Sequence, residues 1–359
     1  MQYRYLEYER LLNLCREVFA SYGFSQEESA DITDVLLAAD LRGIESHGIQ
    51  RLVRYDYEIT SGLVDVHAIP ETVCVTPISA VIDAKCGMGQ LTAQRAMKLA
   101  ISKAKQVGCG MVTVRNSNHF GIAGYYSDMA AEEDLIGVCM TTTEAIMVPT
   151  YGKDPMLGTN PIALAMPADP YPFSLDCATT AVPRGKLEVY AKRGVDVPLG
   201  WGVDEEGRDS ANAAGILGNI IAKAGGGILP VGGSSEQTGS HKGYGFGMIC
   251  ELFTGILSGG LTSDRVNRGI GKGTGICHCF MAVDYGIFGD KAVIKKELSD
   301  YLARIRVSAK ADGKDRIYTH GEKEAEMCVL RKREGIPVND KTFEEIRRIS
   351  MARLGLSAL

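Results

Sequence analysis

Three of the six histidines stand where a strand or loop gives way to a helix: Ser46-His47-Gly48, Asn118-His119-Phe120-Gly121 and Ser240-His241-Lys242-Gly243. Imidazole titrates near neutral pH, which makes histidine the natural general acid/base. Junctions of this kind hold functional side chains because a rigid scaffold positions an exposed segment. Helix starts also present free amides to anions. Taken alone, each junction reads more readily as a helix cap with an incidental histidine; three in one chain point the other way. His119 is the strongest candidate base. It follows a β-rich stretch and the polar run Arg115-Asn116-Ser117-Asn118, whose groups can orient the ring and settle which nitrogen carries the proton. The small residues Gly121, Ala123 and Gly124 after it would let a ligand approach closely. Arg51 lies four residues past His47, one turn along the same face if a helix starts near Gly48. Arginine grips carboxylates through two parallel hydrogen bonds. A solvated surface arginine fits that spacing equally well; Arg54 and Arg42 are weaker versions of the same idea. His67 and His320 read as surface residues.

The rest of the composition narrows the class. A chain of 359 residues, 45% hydrophobic and 23% charged, can bury two cores, or one large core and a satellite. A net charge of -5 with scattered Lys and Arg gives no electrostatic case for nucleic acid or an anionic membrane. No apolar run reaches the roughly 18–20 residues that span a bilayer. The polar, acidic start does not read as a signal peptide, so a cytoplasmic protein is expected. The ten cysteines are spread without a repeated C-x-x-C spacing and read as reduced, mostly buried thiols. Cys277-His278-Cys279 is the one tight cluster; zinc needs about four ligands. The cluster therefore reads as a buried strand, with no metal site expected. Neither Cys86-Gly87-Met88-Gly89 nor Gly269-Ile270-Gly271-Lys272-Gly273 meets the dinucleotide fingerprint, and the Walker motif is absent. A dinucleotide would be held outside a doubly wound sheet, with Lys242 as the best isolated phosphate partner.

Apolar periodicity predicts the elements that must position these residues. Helices are expected over 5–22 and from a capping box at Ser25-Gln26-Glu27-Glu28 through Leu41, stopping near Gly43. A third should follow Gly48 through Tyr55. Strands at 73–75, 80–84, 111–114 and 136–140 alternate with helices at 91–107 and 125–133. Strands and loops fill 151–185, and a helix is expected over 209–223. Residues 243–257 read as a long, mostly buried apolar helix, followed by a strand at 280–284. Helices close the chain at 291–310, 322–334 and beyond Asn339. The fold class is α/β (mixed α+β). A helical segment, 1–72, is expected to pack with C-terminal helices 291–359 beside a mixed core, 73–290.

Four segments resemble the malate/L-lactate dehydrogenase family that is unrelated to the doubly wound lactate and malate dehydrogenases. They are Asp40-Leu41-Arg42-Gly43-Ile44-Glu45-Ser46-His47-Gly48 with Arg51-Leu52, and Arg115-Asn116-Ser117-Asn118-His119-Phe120-Gly121. The third is Gly158-Thr159-Asn160-Pro161 running on to Leu175-Asp176-Cys177-Ala178-Thr179-Thr180; the fourth is Gly239-Ser240-His241-Lys242-Gly243-Tyr244-Gly245. The resemblance implies a non-Rossmann nicotinamide-binding core with a separate mainly helical domain, in a homodimer with its active site near the subunit interface. It implies that His119 exchanges the substrate hydroxyl proton, with Ser46, His47 and Arg51 around the substrate. Thr143, the backbone of Asp176-Cys177-Ala178, and Lys242 match positions that hold the cofactor. Cys177 stands where the family often has Met. The family's late Pro-Gly-Glu is His320-Gly321-Glu322 here, a departure that bears on any cofactor role for Glu322. The function implied is hydride transfer between NAD and a small 2-hydroxy acid. Malate leads, on the family's commonest naming; ureidoglycolate, lactate, sulfolactate and a cyclic imine are alternatives. NADP is not excluded, although no clustered arginines suggest a 2′-phosphate grip. A non-catalytic dinucleotide-binding relative is the reading from another class; the intact His47, His119 and Lys242 speak against it.

Overall fold

The computed structural model describes residues 3–355. Its N-terminal part is strand β1 (Tyr3–Leu6) and helices α1 (Tyr8–Ser21), α2 (Gln26–Leu41) and α3 (Leu52–Thr60). Then come β2 (Glu71–Val75), β3 (Ser79–Asp83), α4 (Gly89–Val107), β4 (Cys109–Ser117), α5 (Ala123–Glu132), β5 (Ile136–Thr141), β6 (Ile162–Met166) and β7 (Phe173–Cys177). A smaller unit contains α6 (Arg184–Arg193), β8 (Gly202–Val203), α7 (Ala213–Ala222) and β9 (Gly227–Ile228). The chain continues with α8 (Ser240–Glu251), β10 (Ile276–Val283), α9 (Lys291–Val307), α10 (Glu322–Glu334), β11 (Ile336–Asn339) and α11 (Asp340–Leu354).

The core is a seven-stranded sheet in the order β2-β3-β4-β10-β5-β6-β7. Only β3 and β4 run parallel, joined by α4; every other neighbouring pair is antiparallel. Side chains alternate across such a sheet. Val112, Val114, Cys139, Ala163, Phe280 and Ala282 therefore meet α4 and α5 on one face. Met140 and Cys279 meet Cys250 of α8 on the other. This mixed sheet is not the parallel, doubly wound arrangement, in agreement with the missing glycine fingerprint.

Beside the sheet lies a helical layer. Leu11, Leu14, Phe19, Ile32, Leu36 and Tyr55 share a core with Ile336, Phe343 and Ile346 from the far end of the chain. β1 pairs with β11 across the same layer. The caps follow the sequence. Ser25 accepts the Glu28 N–H while Glu28 reaches back to the Ser25 N–H at 2.8 Å. Asn339 accepts the Thr342 N–H at 3.0 Å.

Four expectations need correction. The 243–257 helix is not mostly buried. α8 passes into one wide π-helical turn over Leu252–Ile256, and Phe246, Met248, Leu252, Ile256 and Leu257 are exposed. Only its inner face, with Gly247, Cys250 and Thr254, packs on the sheet side. The 209–223 helix starts at Ala213, because Asn212 caps it by accepting the Gly215 N–H. α6 was not anticipated, since it buries only Leu187 and so lacks an apolar stripe. Five of the ten cysteines are buried rather than most; Cys74 and Cys177 are exposed because they lie on edge strands β2 and β7.

Glu322, at the start of α10, is 2% exposed. Burial disfavours its charge, yet the Thr319 N–H, Arg316, Arg306 and the Thr319 hydroxyl outweigh that and hold the carboxyl down to about 2. This carboxylate is thus spent on tying α9 and the 316–319 segment to α10. Its stabilisation is complete above the ordinary value of 4.5 and is lost as pH falls toward 2. Glu322→Gln should lower unfolding free energy at neutral pH by on the order of 3 kcal/mol. In denaturant titrations the gap from wild type should narrow between about pH 5 and pH 3. A gap independent of pH would contradict this account.

Candidate active site

His119 lies two residues past β4, on a loop held from every side. The Asn118 amide donates to the Cys86 and Gly87 carbonyls at 2.9 and 3.0 Å, and its oxygen accepts the Thr274 hydroxyl at 2.9 Å. Phe120 stacks on His278 with centroids 4.4 Å apart. The first turn of α4 presses on the same loop: a Cβ added at Gly89 would sit 2.4 Å from the carbonyl oxygens of Asn118 and His119. His119 is 9% exposed. Its Nδ1 is 2.7 Å from the Tyr55 hydroxyl of α3. Nε2 has no protein partner among the described residues.

His47 comes to the same place from the helical layer. Its ring stacks on His119 at 5.6 Å between centroids, and its Nδ1 is 2.9 Å from the Ser46 hydroxyl. Burial, then Arg51 and Arg54, lower His47 to about 4. Burial, Arg54, His47, Arg51 and His278 push His119 well below 6.5. Both rings are therefore neutral at pH 7, the state of a general base.

The path from His47 to Arg51 is not the continuous α-helix expected. Two 3-10 turns, Glu45–His47 and Ile49–Arg51, bracket Gly48. The reason is Asp40, a buried carboxylate that accepts the Ile49 N–H at 2.6 Å and packs directly on Gly48. The Arg51 Nε donates back to the Ser46 carbonyl at 2.6 Å. Arg42 is paired with Asp128 at 2.7 Å, and Arg54 with Glu58 at 2.7 Å. Arg51 has no carboxylate partner among the described residues. A half-buried guanidinium without an anion, beside two neutral imidazoles, has the chemistry to take a carboxylate. Arg184 and Glu188 of α6 act on the Arg51 charge from across the chain.

The glycines after His119 serve the protein rather than a ligand. Gly121 admits Val35, whose Cγ1 would lie 2.6 Å from an added Cβ, and Gly124 admits the Asp176 carboxylate. The Gly124 N–H donates to Asp176 at 2.7 Å, at the start of α5. Burial raises Asp176 to about 6, against the pull of that N–H and of Arg42.

Asp176 and Cys177 end β7, the edge strand of the sheet, and Ala178 follows them, so their outward backbone groups face no further strand. The chain leaving β7 runs beside 229–231: the Ala181 N–H donates to Leu229, and the Val231 N–H to Thr179. Gly243 of α8 packs on Val231, which sets exposed Lys242 at that helix start beside the same segment. Thr143 lies past β5, its hydroxyl oxygen accepting the Thr159 N–H at 2.9 Å. A hollow of about 480 Å³ lined by Ala181, Trp201, Val231 and Gly232 opens along the paired 179–181 and 229–231 segments. Another of about 490 Å³ lies away from every histidine, between α4 and α5. Edge-strand amides, a helix start and an unpaired lysine form a donor set that suits a dinucleotide's phosphates.

His241, on the first turn of α8, is exposed and does not join the other two histidines. His278 is a core residue, its two nitrogens 2.7 and 2.9 Å from the Thr141 and Ser117 hydroxyls. His67 and His320 are exposed.

A model of the malate/L-lactate dehydrogenase family matches residues 6–347. The chain belongs to that family. It is 43% identical to a malate dehydrogenase of Pyrococcus horikoshii over 98% of this chain and 96% of that protein. It is 35% identical to an L-sulfolactate dehydrogenase of Methanocaldococcus jannaschii over 96% of each. The crystal structure of malate dehydrogenase from Entamoeba histolytica superposes with a TM-score of 0.94 at 35% identity, covering 98% and 99% of the two chains. The protein is a 2-hydroxy-acid dehydrogenase.

Sequence reasoning missed Asp40 and Tyr55, which hold the 46–51 turns and the His119 ring of this candidate site. Tyr55 counted as one more apolar helix position, although its spacing of four from Arg51 was a usable signal. Asp40 carries a direct test. A Cβ at residue 48 would lie 2.0 Å from its carboxylate. Gly48→Ala should therefore displace the 46–51 turns, costing about 1–3 kcal/mol of stability and most of kcat/KM. A melting curve and kinetics indistinguishable from wild type would show that the contact is slack.

Proposed function

We propose that the protein interconverts malate and oxaloacetate with NAD, using His119 as the proton-transfer residue. The observation that carries this reading is the pairing of an anion-free Arg51 with a buried, neutral His119 whose Nε2 is unpartnered. Arg51 would hold the substrate carboxylate with Ser46 and His47 beside it. His119 Nε2 would take the hydroxyl proton in oxidation and return it in reduction. The nicotinamide, when bound, supplies the hydride acceptor. Thr143, the backbone of Asp176-Cys177-Ala178, and Lys242 would hold that cofactor, and the 480 Å³ hollow along Ala181 and Val231 has room for its far end. The malate dehydrogenases among the relatives support malate over the sulfolactate and imine alternatives.

The working form we propose is a cytoplasmic homodimer. Ten free thiols suit a reducing compartment. No helix among the described residues is long and apolar enough to cross a membrane. The exposed apolar face of Phe246, Met248, Leu252 and Ile256 is what an obligate interface covers.

The activity is tested with NADH or NADPH and a panel of oxaloacetate, pyruvate, sulfopyruvate and a cyclic imine, followed at the nicotinamide absorbance band. Oxaloacetate with NADH should give the highest kcat/KM. His119→Ala should lose at least about 100-fold in kcat while still binding NADH; near-normal turnover in that variant would remove His119 from the role. Leu252→Asp with Ile256→Asp should convert the dimer to a folded monomer in sedimentation. A wild-type protein already monomeric at micromolar concentration would overturn the dimer.

A further inference from the structure

Trp201 is the chain's single tryptophan, and it lines the 480 Å³ hollow. It is half-buried. The Tyr190 ring stands nearly at right angles to the indole with centroids 5.4 Å apart, and the Lys186 ammonium is 5.5 Å from the indole centroid. Part of the hollow's wall is bare backbone. Gly200 and Gly233 line it and face each other: a Cβ added at Gly233 would lie 3.5 Å from the Gly200 Cα. Both have positive φ, +87° and +80°, which glycine adopts without strain. Side chains at these two positions would fill the gap. An aromatic ring beside glycine backbone suits a flat heterocycle.

Among the described residues lining the hollow, Asp209 alone carries a charge. Its carboxylate accepts the Gly200 N–H at 2.9 and 3.1 Å and the Ser234 hydroxyl at 3.0 Å, so two donors hold it in place. It is exposed and has no cation partner among the described residues. A carboxylate offers about four acceptor positions, and two donors leave some of them free. A fixed, unpaired carboxylate accepts hydroxyl groups and repels phosphate. Lys186, over the indole, and Arg208, next to Asp209 in the chain, do not line the hollow.

The backbone connects this hollow to the candidate site on two sides. Asp176 is tied through the Gly124 N–H to α5, the helix that follows His119, so the end of β7 marks the reacting end. Ala181, which lines the hollow, lies four residues past Cys177, at most about 14 Å of extended chain. On the other side Gly232 packs against Gly239 and Ser240, where α8 starts, and Lys242 belongs to that first turn. We propose, resting on the cofactor placement above, that the hollow takes the adenosine end of the dinucleotide: Trp201 lies against the adenine and Asp209 accepts the ribose 2′-hydroxyl. Asp209 is then the residue that selects NAD over NADP. A 2′-phosphate removes the hydroxyl donor and sets like charge against the carboxylate.

A single tryptophan in the hollow makes occupancy directly readable. Its emission is titrated in the wild-type protein with ADP-ribose and with 2′-phospho-ADP-ribose, which both lack the nicotinamide. ADP-ribose should change the emission saturably. The 2′-phosphate should bind at least about tenfold more weakly, the scale of one charged hydrogen bond. NADH should outbind NADPH by a similar factor, read from the fluorescence of the nicotinamide itself. Asp209→Asn removes the charge and keeps an oxygen for the Gly200 N–H; its affinities for NADH and NADPH should come within about threefold of each other. Trp201→Leu should weaken NADH binding at least about fivefold, the lower end of a base-stacking contact. Its kcat at saturating NADH should stay within about twofold of wild type, because the lost contact is remote from the reacting atoms. If NADH binds and ADP-ribose leaves the emission unchanged, the adenosine lies elsewhere: the hollow is wrong and the cofactor reading stands. Equal wild-type affinity for NADH and NADPH removes Asp209 from its role. So does an Asp209→Asn variant that melts like wild type and keeps the wild-type preference. If that variant melts well below wild type, the wild-type ratio of the two ADP-ribose affinities decides. If neither dinucleotide binds, the cofactor reading falls and the hollow's assignment with it.

Discussion

The contact between the Tyr55 hydroxyl and His119 Nδ1 joins the two halves of this molecule. Tyr55 belongs to the helical layer, whose core it shares with α1, α2 and the C-terminal α11. The His119 backbone belongs to the sheet, at the end of β4. A site assembled across such a boundary requires both cores to be complete. The Asn118 amide locks the loop to the β3–α4 connection. Asp40 locks the facing turns through Ile49, and the Arg331 guanidinium of α10 reaches the Asp40 carbonyl. The ends of the chain therefore act on the active site although neither supplies a reacting group.

Electrostatics is the second constraint. Burial disfavours charge on the two imidazoles, and Arg51 and Arg54 add to the effect. With His47 and His119 neutral, Arg51 is, among the described residues, the cation there not matched to a carboxylate. A half-buried guanidinium without a counter-ion is costly, and in the proposed reaction a substrate carboxylate would supply the missing partner. On that proposal binding and chemistry would be linked: an anion on Arg51 would also ease the protonated state of the adjacent ring.

Much of this was legible in the residues. The capping residues Ser25 and Asn339, the strands of the central sheet and the junctions at His47 and His119 follow from local rules of hydrogen bonding and periodicity. Absence of a glycine fingerprint excluded a doubly wound sheet, and the sheet is indeed largely antiparallel. Local rules failed where a distant partner decided. Glycines 121 and 124 look like ligand clearance but make room for Val35 and Asp176. The apolar run 243–257 looks like a buried helix, yet one of its faces stays exposed. His241 looks like His47 and His119 and lies elsewhere.

By itself the sequence determined which residues can do chemistry, because residue type and its immediate neighbours set the pKa range, the caps and the turns. Only the tertiary structure decided which of them meet. His47 and His119 are 72 positions apart and stack because the helical layer and the sheet bring them together; α4 touches the His119 loop because Gly89 has no side chain there. Neutrality of the two rings and the anion-free state of Arg51 are properties of burial and distance, and neither quantity is local in sequence.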